Sequence, residues 1–193
     1  MAGLNHLKPI DLSNLGKDLN SLEADLLNRK LYEASLTLLS NKETILPLKR
    51  LDTLKIASVS FGDRSKNTFQ KTLDNYAAVT HFNLTADASK KECDSLVKTL
   101  SKFNLVLACL NNTNVRPAKN FGVSEKSIEL LDSIQAHTKV VLTVLANPAC
   151  LSKFKNPLQF NALVMGYEES EYSQRLCASL IFGGATSKGK LAF

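Results

Sequence analysis

Residues 140–145 read Val140-Val141-Leu142-Thr143-Val144-Leu145, a strongly hydrophobic run. A short run of this kind, rich in β-branched side chains, is typical of a strand buried on both faces. Four more runs read as short apolar strands: residues 54–60, 77–82, 105–110 and 162–165. These runs alternate with amphipathic segments, and the alternation predicts a mostly parallel sheet.

The amphipathic segments are predicted helices that cover both faces of the sheet. They begin near residues 66, 89, 124 and 172. Ser89 with Glu92 has the pattern of a capping box, and Ser124 is a predicted N-cap. We therefore predict a doubly wound α/β fold, in which five to six mostly parallel strands are sandwiched between helices in flavodoxin-like layers.

A long helix is predicted before the first of these strands. Apolar residues, all leucine except Ala34, recur at intervals of three and four from residue 15 to residue 38, which is the spacing of one apolar stripe on a helix. Asn20 with Glu23 resembles a capping box near its start, and Ser40-Asn41 is its predicted end. Residues 1–16 carry more apolar weight than a free tail needs, so we expect this segment to pack against something.

The glycines near the carboxyl terminus resemble part of a nucleotide-binding loop, but their context does not fit one. Residues 184–190 contain Gly-x-x-x-x-Gly-Lys, whereas such a loop follows a strand, opens a helix and carries Ser or Thr after the lysine. Here Gly183 and Gly184 follow a predicted helix, and Leu191 follows the lysine. The pattern favours a glycine helix stop, then a loop and an edge strand.

Composition argues against several classes of function. The chain has 193 residues and a formal net charge of +6, and its lysines are spread over every segment, so no nucleic-acid surface is predicted. Its four cysteines form no C-x-x-C pair and its three histidines are scattered, so we predict structural thiols, no metal and no cofactor. No apolar run is long enough to predict a membrane span.

Polar residues that follow the predicted strands are the candidates for a functional site. Doubly wound sheets bind ligands beyond the carboxyl ends of their strands. The candidates for contact with a substrate cleft or another domain are Asp63, Arg64, Asn112, Arg116 and Glu168. Neither Gly-x-Ser-x-Gly nor Gly-x-Gly-x-x-Gly occurs, so serine-hydrolase and dinucleotide chemistry are not supported.

Each candidate also has a plain structural interpretation. Asp63 fits a turn after the first strand, and Glu168 precedes the last helix, where acids complement the helix dipole. The polar loop at residues 111–116 fits solvent as well as a partner, although Arg116 is suited to reach a carboxylate or a sugar hydroxyl. No catalytic residue is assigned.

Three groups of residues carry a resemblance to a known family. The first is residues 31–41 with Leu46-Pro47-Leu48 at the entry to the first strand. The second is Asn120-Phe121-Gly122 before a helix, and the third combines residues 167–171, 181–184 and 188–191. In this order they resemble the carboxyl-terminal α/β sandwich domain of glycoside hydrolase family 3, particularly its bacterial β-N-acetylglucosaminidases. The family usually has proline where this chain has Ala192.

The resemblance implies a division of labour with a second domain. Residues 1–18 would be the linker from an N-terminal (β/α) barrel of the same parent chain, and residues 19–193 the sandwich domain. By resemblance, the aspartate nucleophile and the His-Asp acid/base pair belong to the barrel, in motifs absent from this chain. We therefore expect a non-catalytic domain that hydrolyses nothing alone. Its parent would bind carbohydrate and hydrolyse terminal β-linked N-acetylglucosamine, in a bacterial periplasm or cell envelope.

Two other functions are weighed against this one. A stand-alone flavodoxin-like ligand-binding or signalling module suits the fold, but a receiver needs an acidic cluster after its first strand and an aspartate after its third. This chain has Asp63 alone and Asn111 at those places. A glycosidase using Asp63 and Glu168 as its own pair would need the two carboxyl groups about 5–9.5 Å apart. Glu168 is not matched to the acid/base glutamate that the family's glucosidase branch takes from this domain.

Overall fold

The computed structural model describes residues 12–191, and predictions made for residues 1–11 lie outside this part. The chain divides into two compact units, Met1–Leu31 and Tyr32–Phe193. The described part of the first unit contains the short helix α1 (Leu15–Leu19) and the beginning of α2 (Leu22–Ser35). The second unit holds the sheet.

The second unit alternates strands and helices. In chain order its elements are β1 (Thr37–Asn41), β2 (Ile56–Phe61), α3 (Thr68–Leu73), β3 (Val79–Leu84), α4 (Lys90–Leu100), β4 (Leu105–Leu110), α5 (Glu125–Gln135), β5 (Lys139–Val144), β6 (Ala162–Met165) and α6 (Glu171–Ile181). The predicted caps are confirmed, because the Ser89 hydroxyl accepts from the Glu92 N–H and the Ser124 hydroxyl from the Ser127 N–H.

The strands form one sheet in the order β1-β6-β5-β4-β2-β3. Strands β2 to β6 run parallel, and β1 pairs with β6 in the antiparallel sense. The chain passes from β2 to β3 on one side and then reverses to add β4, β5 and β6 on the other. This is the doubly wound order of flavodoxin-like folds, so the predicted mostly parallel α/β sandwich is confirmed.

Two buried layers lie on opposite faces of the sheet, because successive side chains of a strand point to opposite sides. Val59 and Phe61 of β2 belong to the layer that includes Leu131 of α5, whereas Ile56 belongs to the layer that includes Phe69 of α3. Strands β4 and β6 are buried along their whole length. Burial on both faces explains why these strands appear in the sequence as near-continuous apolar runs.

The predicted long amino-terminal helix is wrong at both ends. Ser21, not Asn20, caps α2, since its hydroxyl accepts a hydrogen bond from the Ala24 N–H at 3.2 Å. The helix ends at Ser35, and the following Leu36 is only 2% exposed. The residues that continue the leucine spacing form β1 instead, because pairing with β6 satisfies their backbone groups in the sheet.

The segment after α6 agrees with the sequence prediction in part. Gly183 has a φ of +83°, and it ends the helix as predicted. The edge strand predicted after it does not form within residues 185–191. Instead the Gly189 N–H donates to the Leu36 carbonyl at 3.0 Å, and the Ser187 hydroxyl accepts from the Leu38 N–H at 2.8 Å. The edge of the sheet belongs to β1, to which this segment is tied.

Thr143 provides a test of the packing. Its hydroxyl has no hydrogen-bond partner among the described residues, and the side chain is 0% exposed in the interior of β5. An unpaired buried hydroxyl costs about 1–3 kcal/mol, and valine has nearly the same shape. We expect Thr143→Val to raise the free energy of unfolding by about 1 kcal/mol in chemical denaturation. Thr80→Val, at an exposed position of β3, should change it by less than about 0.5 kcal/mol. A loss of stability in Thr143→Val would contradict this account.

Candidate functional site at the carboxyl ends of the strands

The candidate site lies between the carboxyl ends of β2 and β4. Here the strand order reverses, which is where doubly wound folds bind ligands. Phe61 and Leu110, the last residues of the two strands, are partners in the parallel ladder. The residues that follow them, Gly62-Asp63 and Asn111-Asn112, therefore meet at the same edge of the sheet.

Gly62 permits the close approach of the two loops. It has a φ of +110°, and a Cβ at this position would lie 2.5 Å from the Asn112 Cβ and 2.8 Å from the Asn111 carbonyl oxygen. Asn112 has a φ of +53° and donates from Nδ2 to the Gly62 carbonyl at 3.3 Å. Backbone conformation and space both require glycine here.

Asp63 is held by side chains that the sequence analysis did not bring together with it. Its Oδ2 accepts hydrogen bonds from Asn67 Nδ2 and Asn111 Nδ2, each at 2.8 Å, and from the Ser60 hydroxyl at 3.3 Å. Asn67 also caps α3, because its Oδ1 accepts from the Gln70 N–H at 2.9 Å. Asp63 thus joins the ends of β2 and β4 to the start of α3. The sequence predicted only a turn residue at this position.

The recess at this point is small. Its volume is about 40 Å³, and its lining includes Phe61, Asn112 and Ser124. Pockets that enclose a ligand usually measure about 300–1,000 Å³. The reversal point of this sheet therefore offers polar contacts along a rim, without room for a sugar ring in the recess.

Tyr167 and Glu168 form a strained turn after β6. Tyr167 has a φ of +67°, and the Glu168 N–H donates to the Gly166 carbonyl at 2.8 Å, which makes a γ-turn of the uncommon positive-φ form. The Glu168 carboxylate accepts a hydrogen bond from the Tyr32 hydroxyl. That hydrogen bond raises the pKa of Tyr32, so the tyrosine remains the donor. Glu168 thus contacts the part of α2 that belongs to the second unit.

Glu168 and Asp63 do not form a carboxylate pair. They follow β6 and β2, between which β5 and β4 lie in the sheet. Three inter-strand spacings place the ends of β6 and β2 about 14 Å apart, whereas the carboxyl groups of a glycosidase pair are about 5–9.5 Å apart; Glu168 bonds to Tyr32 and Asp63 to Asn67 and Asn111 instead. The geometry does not support acid/base work by these two groups together.

Among the described residues, the side chains of Arg64 and Arg116 make no hydrogen bond to this cluster. Arg64 Nη2 is 3.3 Å from Asp87 Oδ2, and both side chains are exposed. Arg116 is exposed in the loop after β4. Among the sequence-predicted candidates, the structure brings Asp63 and Asn112 together.

Thiol and metal chemistry find no support in residues 12–191. The cysteines are free and buried, and burial raises the pKa of Cys150 to about 11 and that of Cys177 to about 12. These thiols stay protonated near neutral pH and pack as small apolar groups. Within the same range, no group of three or more histidine, cysteine or acidic side chains is arranged to hold a metal ion. No helix there combines the length and apolar character needed to cross a bilayer.

A second polar network contains a serine, a histidine and an aspartate, which sequence reasoning missed. Ser58 Oγ lies 2.7 Å from His81 Nδ1, and His81 Nε2 lies 2.7 Å from Asp74 Oδ1. A serine nucleophile must be open to substrate, but Ser58 is 0% exposed in the middle of β2. Its hydroxyl also accepts from Gln70 Nε2 at 3.1 Å. The network therefore ties α3 to the neighbouring strands β2 and β3 and does not define a catalytic triad.

The network predicts a dependence of stability on pH. Burial alone would raise the pKa of Asp74, but hydrogen bonds from Lys66 and His81 outweigh it and lower the pKa. The folded state thus binds this proton less tightly than the unfolded chain, so the carboxylate stabilises the fold above about pH 4 and ceases to do so as pH falls through its folded-state pKa. We expect Asp74→Asn to lower the free energy of unfolding at pH 7 and to lower it by less near pH 2.5, measured by urea denaturation.

The control for this prediction is Asp52→Asn, at an exposed turn position. It should leave the unfolding free energy nearly unchanged at both pH values. An Asp74→Asn effect of equal size at both pH values would show that the loss is one of packing and not of charge.

Comparison with known proteins shows the class of fold to which the chain belongs. No protein-family model and no curated protein sequence matches the chain. Solved structures do match: the chain has the α/β sandwich fold found within chains of glycoside hydrolase family 3 and other β-glucoside-active proteins. The fold implied by the sequence resemblance is therefore confirmed.

Three solved structures illustrate the likeness. A fungal multi-domain family 3 β-N-acetylglucosaminidase matches with a TM-score of 0.69 and 20% identity over 96% of this chain. A family 3 β-N-acetylglucosaminidase from Paenibacillus sp. str. FPU-7 matches with 0.69 and 16% identity over 95%. A β-glucosidase from Listeria innocua matches with 0.65 and 18% identity over 89%. The chain spans only 20%, 35% and 27% of the lengths of these three chains.

Proposed function

We propose that this chain is the non-catalytic α/β sandwich domain of a larger family 3 glycoside hydrolase that releases terminal β-linked N-acetylglucosamine. The observation that carries the proposal is the fold match, which takes in nearly all of this chain but about a third or less of each glycosidase chain. The sequence resemblance, closest to the β-N-acetylglucosaminidases, supports the choice of sugar.

The state of the rim carboxylates supports a non-catalytic role. Asp63 accepts hydrogen bonds from Asn67, Asn111 and Ser60, and Glu168 is engaged by Tyr32. These contacts give both carboxylates a structural role within the domain. The reactive groups would then belong to the barrel of the parent chain.

The exposed leucines of α1 and α2 support a domain partner. Five leucines in this segment are between 48% and 75% exposed: Leu19, Leu22, Leu26, Leu27 and Leu31. Burial of such side chains contributes about 1–2 kcal/mol each, and clustered exposed apolar groups mark interaction surfaces. This segment adjoins residues 1–18, the proposed linker, so its leucines are suited to pack on the barrel.

We assign the predicted site residues to contacts with the barrel or its substrate cleft. Asp63 and Asn112 lie at the reversal point, where a substrate cleft shared with the barrel would be closed. Arg64, Arg116 and Glu168 lie elsewhere on exposed loops, where they would contact the partner domain or the rim of its cleft. Carbohydrate would be bound through the parent.

The test uses the longest polypeptide whose reading frame contains this chain. We expect this polypeptide to contain a (β/α) barrel and to hydrolyse p-nitrophenyl N-acetyl-β-glucosaminide faster than p-nitrophenyl β-glucoside. Leu22→Ser with Leu26→Ser should weaken domain packing and reduce activity, while Leu158→Ser, at a half-exposed apolar position of the second unit, should not. A frame that encodes no barrel would favour the stand-alone flavodoxin-like module instead.

A further inference from the structure

The loop after β4 is built as a rigid projection. We call residues 113–122 the prong. The Asn114 N–H donates to the Phe121 carbonyl at 2.9 Å and closes its base, and the Phe121 N–H donates to the Arg116 carbonyl at 3.1 Å and closes its tip. Asn114 Oδ1 also accepts from the Arg116 N–H at 2.9 Å. The prong is thus ordered by its own hydrogen bonds.

Its backbone conformation is unusual for a loop that only connects two elements. Asn120, Phe121 and Gly122 have φ values of +47°, +55° and +86°. A Cβ on Gly122 would lie 2.8 Å from the Thr113 Cα, so the two arms of the prong touch. Left-handed conformations in bulky residues such as phenylalanine persist where the surroundings enforce them, and they concentrate at functional sites.

The prong is also fixed to the rim. The Thr113 hydroxyl donates to the Leu145 carbonyl, and the Thr113 N–H donates to Glu169 Oε2 at 3.2 Å. At the other arm, Asn120 Nδ2 donates to the Val123 carbonyl at 2.8 Å. A tip held from both sides has little conformational entropy to lose on binding.

The tip presents an apolar and a cationic side chain side by side. Val115 is 90% exposed. The guanidinium of Arg116 makes no hydrogen bond or ion pair within residues 12–191. Residues 111–124 contain no acidic residue, and the neighbouring Glu169 is already engaged by the prong itself. Arg116 and Lys119, which is also exposed on the prong, are therefore cations without an acidic partner among the described residues.

We propose that the prong is a preformed docking element for a second folded domain of the same polypeptide, which receives Val115 in an apolar recess and pairs Arg116 with a carboxylate beside it. This inference rests on the proposed function. Charge complementarity requires an acidic partner, and arginine next to an apolar contact is the composition of an interface hot spot. The solved chains that share this fold include other material over at least 65% of their length, since this chain covers 35% or less of them.

The experiment is site-specific photo-crosslinking in the longest polypeptide that contains this chain. Benzoylphenylalanine replaces Val115, Leu26 or Leu158 in separate proteins, and the crosslinked peptides are mapped by mass spectrometry. Leu158 lies before β6, at the opposite edge of the sheet from the prong, and is 50% exposed. Leu26 reports the helix contact of the proposed function. Each protein is also made with Arg116→Glu and with Arg116→Lys.

We expect position 115 to crosslink to a peptide outside residues 12–191 at least about fivefold more than position 158, and the mapped segment to contain an aspartate or glutamate. Arg116→Glu should reduce this crosslink about tenfold by placing like charges together, with Arg116→Lys having a smaller effect and position 26 unchanged.

If position 26 crosslinks but position 115 crosslinks no more than position 158, the docking prong is overturned and the proposed function stays in place. Crosslinking at neither position would overturn both. A crosslink at 115 that maps only within residues 12–191, or that survives Arg116→Glu, would also overturn the inference.

Discussion

Gly62→Ala is expected to lower the free energy of unfolding of the sheet-containing unit by about 4 kcal/mol. Alanine at a φ of +110° is strained, and its Cβ would lie 2.5 Å from the Asn112 Cβ and 2.8 Å from the Asn111 carbonyl oxygen. Backbone strain of this kind costs about 1–3 kcal/mol, and overpacking adds about 1–3 kcal/mol. Neither contact involves the far end of a flexible side chain, so local adjustment gives little relief. Urea denaturation monitored by circular dichroism measures the change.

The matched control for this variant is Gly16→Ala in α1. A Cβ there meets no atom within 4 Å, and alanine favours a helix over glycine by about 1 kcal/mol. It should leave the main transition unchanged. A loss below about 1 kcal/mol in Gly62→Ala would show that the β2 and β4 loops are not locked together as described.

Leu142→Ala is expected to lower the free energy of unfolding by about 3–4 kcal/mol. Leu142 lies at the centre of β5, is 0% exposed, and packs in the layer formed with α4 and α5. Its removal forfeits the burial of the side chain and leaves a cavity among neighbours that are fixed in a sheet and cannot close it.

Leu158→Ala provides the comparison for Leu142→Ala. The Leu158 side chain is 50% exposed and should lose less than about 1 kcal/mol on truncation. Similar losses for the two variants, measured by the same denaturation, would contradict the placement of residues 140–145 in the centre of the core.

Most of the second unit follows from local sequence patterns. Strands β4, β5 and β6 are recognisable because both of their faces are buried, so nearly every residue is apolar. The helix starts at Ser89 and Ser124 are recognisable because a capping hydroxyl acts on its own chain within three residues. These determinants lie inside short windows of sequence.

The errors arise where distant partners decide the structure. β1 carries a leucine spacing that suits a helix, but pairing of Thr37 with Met165, far along the chain, makes it a strand. The bounds of β3 move from residues 77–82 to Val79–Leu84 because the ladder with β2 starts at Ile56 and Val79. Such pairings override local propensity and cannot be read from one window.

The candidate site was predictable in position but not in its contacts. The strand ends placed Asp63 and Asn112 at one edge of the sheet, where the structure has them, and their part in a binding site stays a prediction from topology. Asn111 was visible as an amide that ends an apolar strand, yet its bond to Asp63 spans 48 residues of sequence. His81 is likewise a polar residue within a predicted strand, but its hydrogen bond to Ser58 joins two strands and cannot be read from either one.

We expect this chain to hold no complete catalytic site of its own. The most direct test is the initial rate at which the purified 193-residue chain hydrolyses p-nitrophenyl N-acetyl-β-glucosaminide and p-nitrophenyl β-glucoside at high protein concentration. The rate should equal that of buffer for both substrates. Turnover by the chain that is abolished in Asp63→Asn or Glu168→Gln would contradict it.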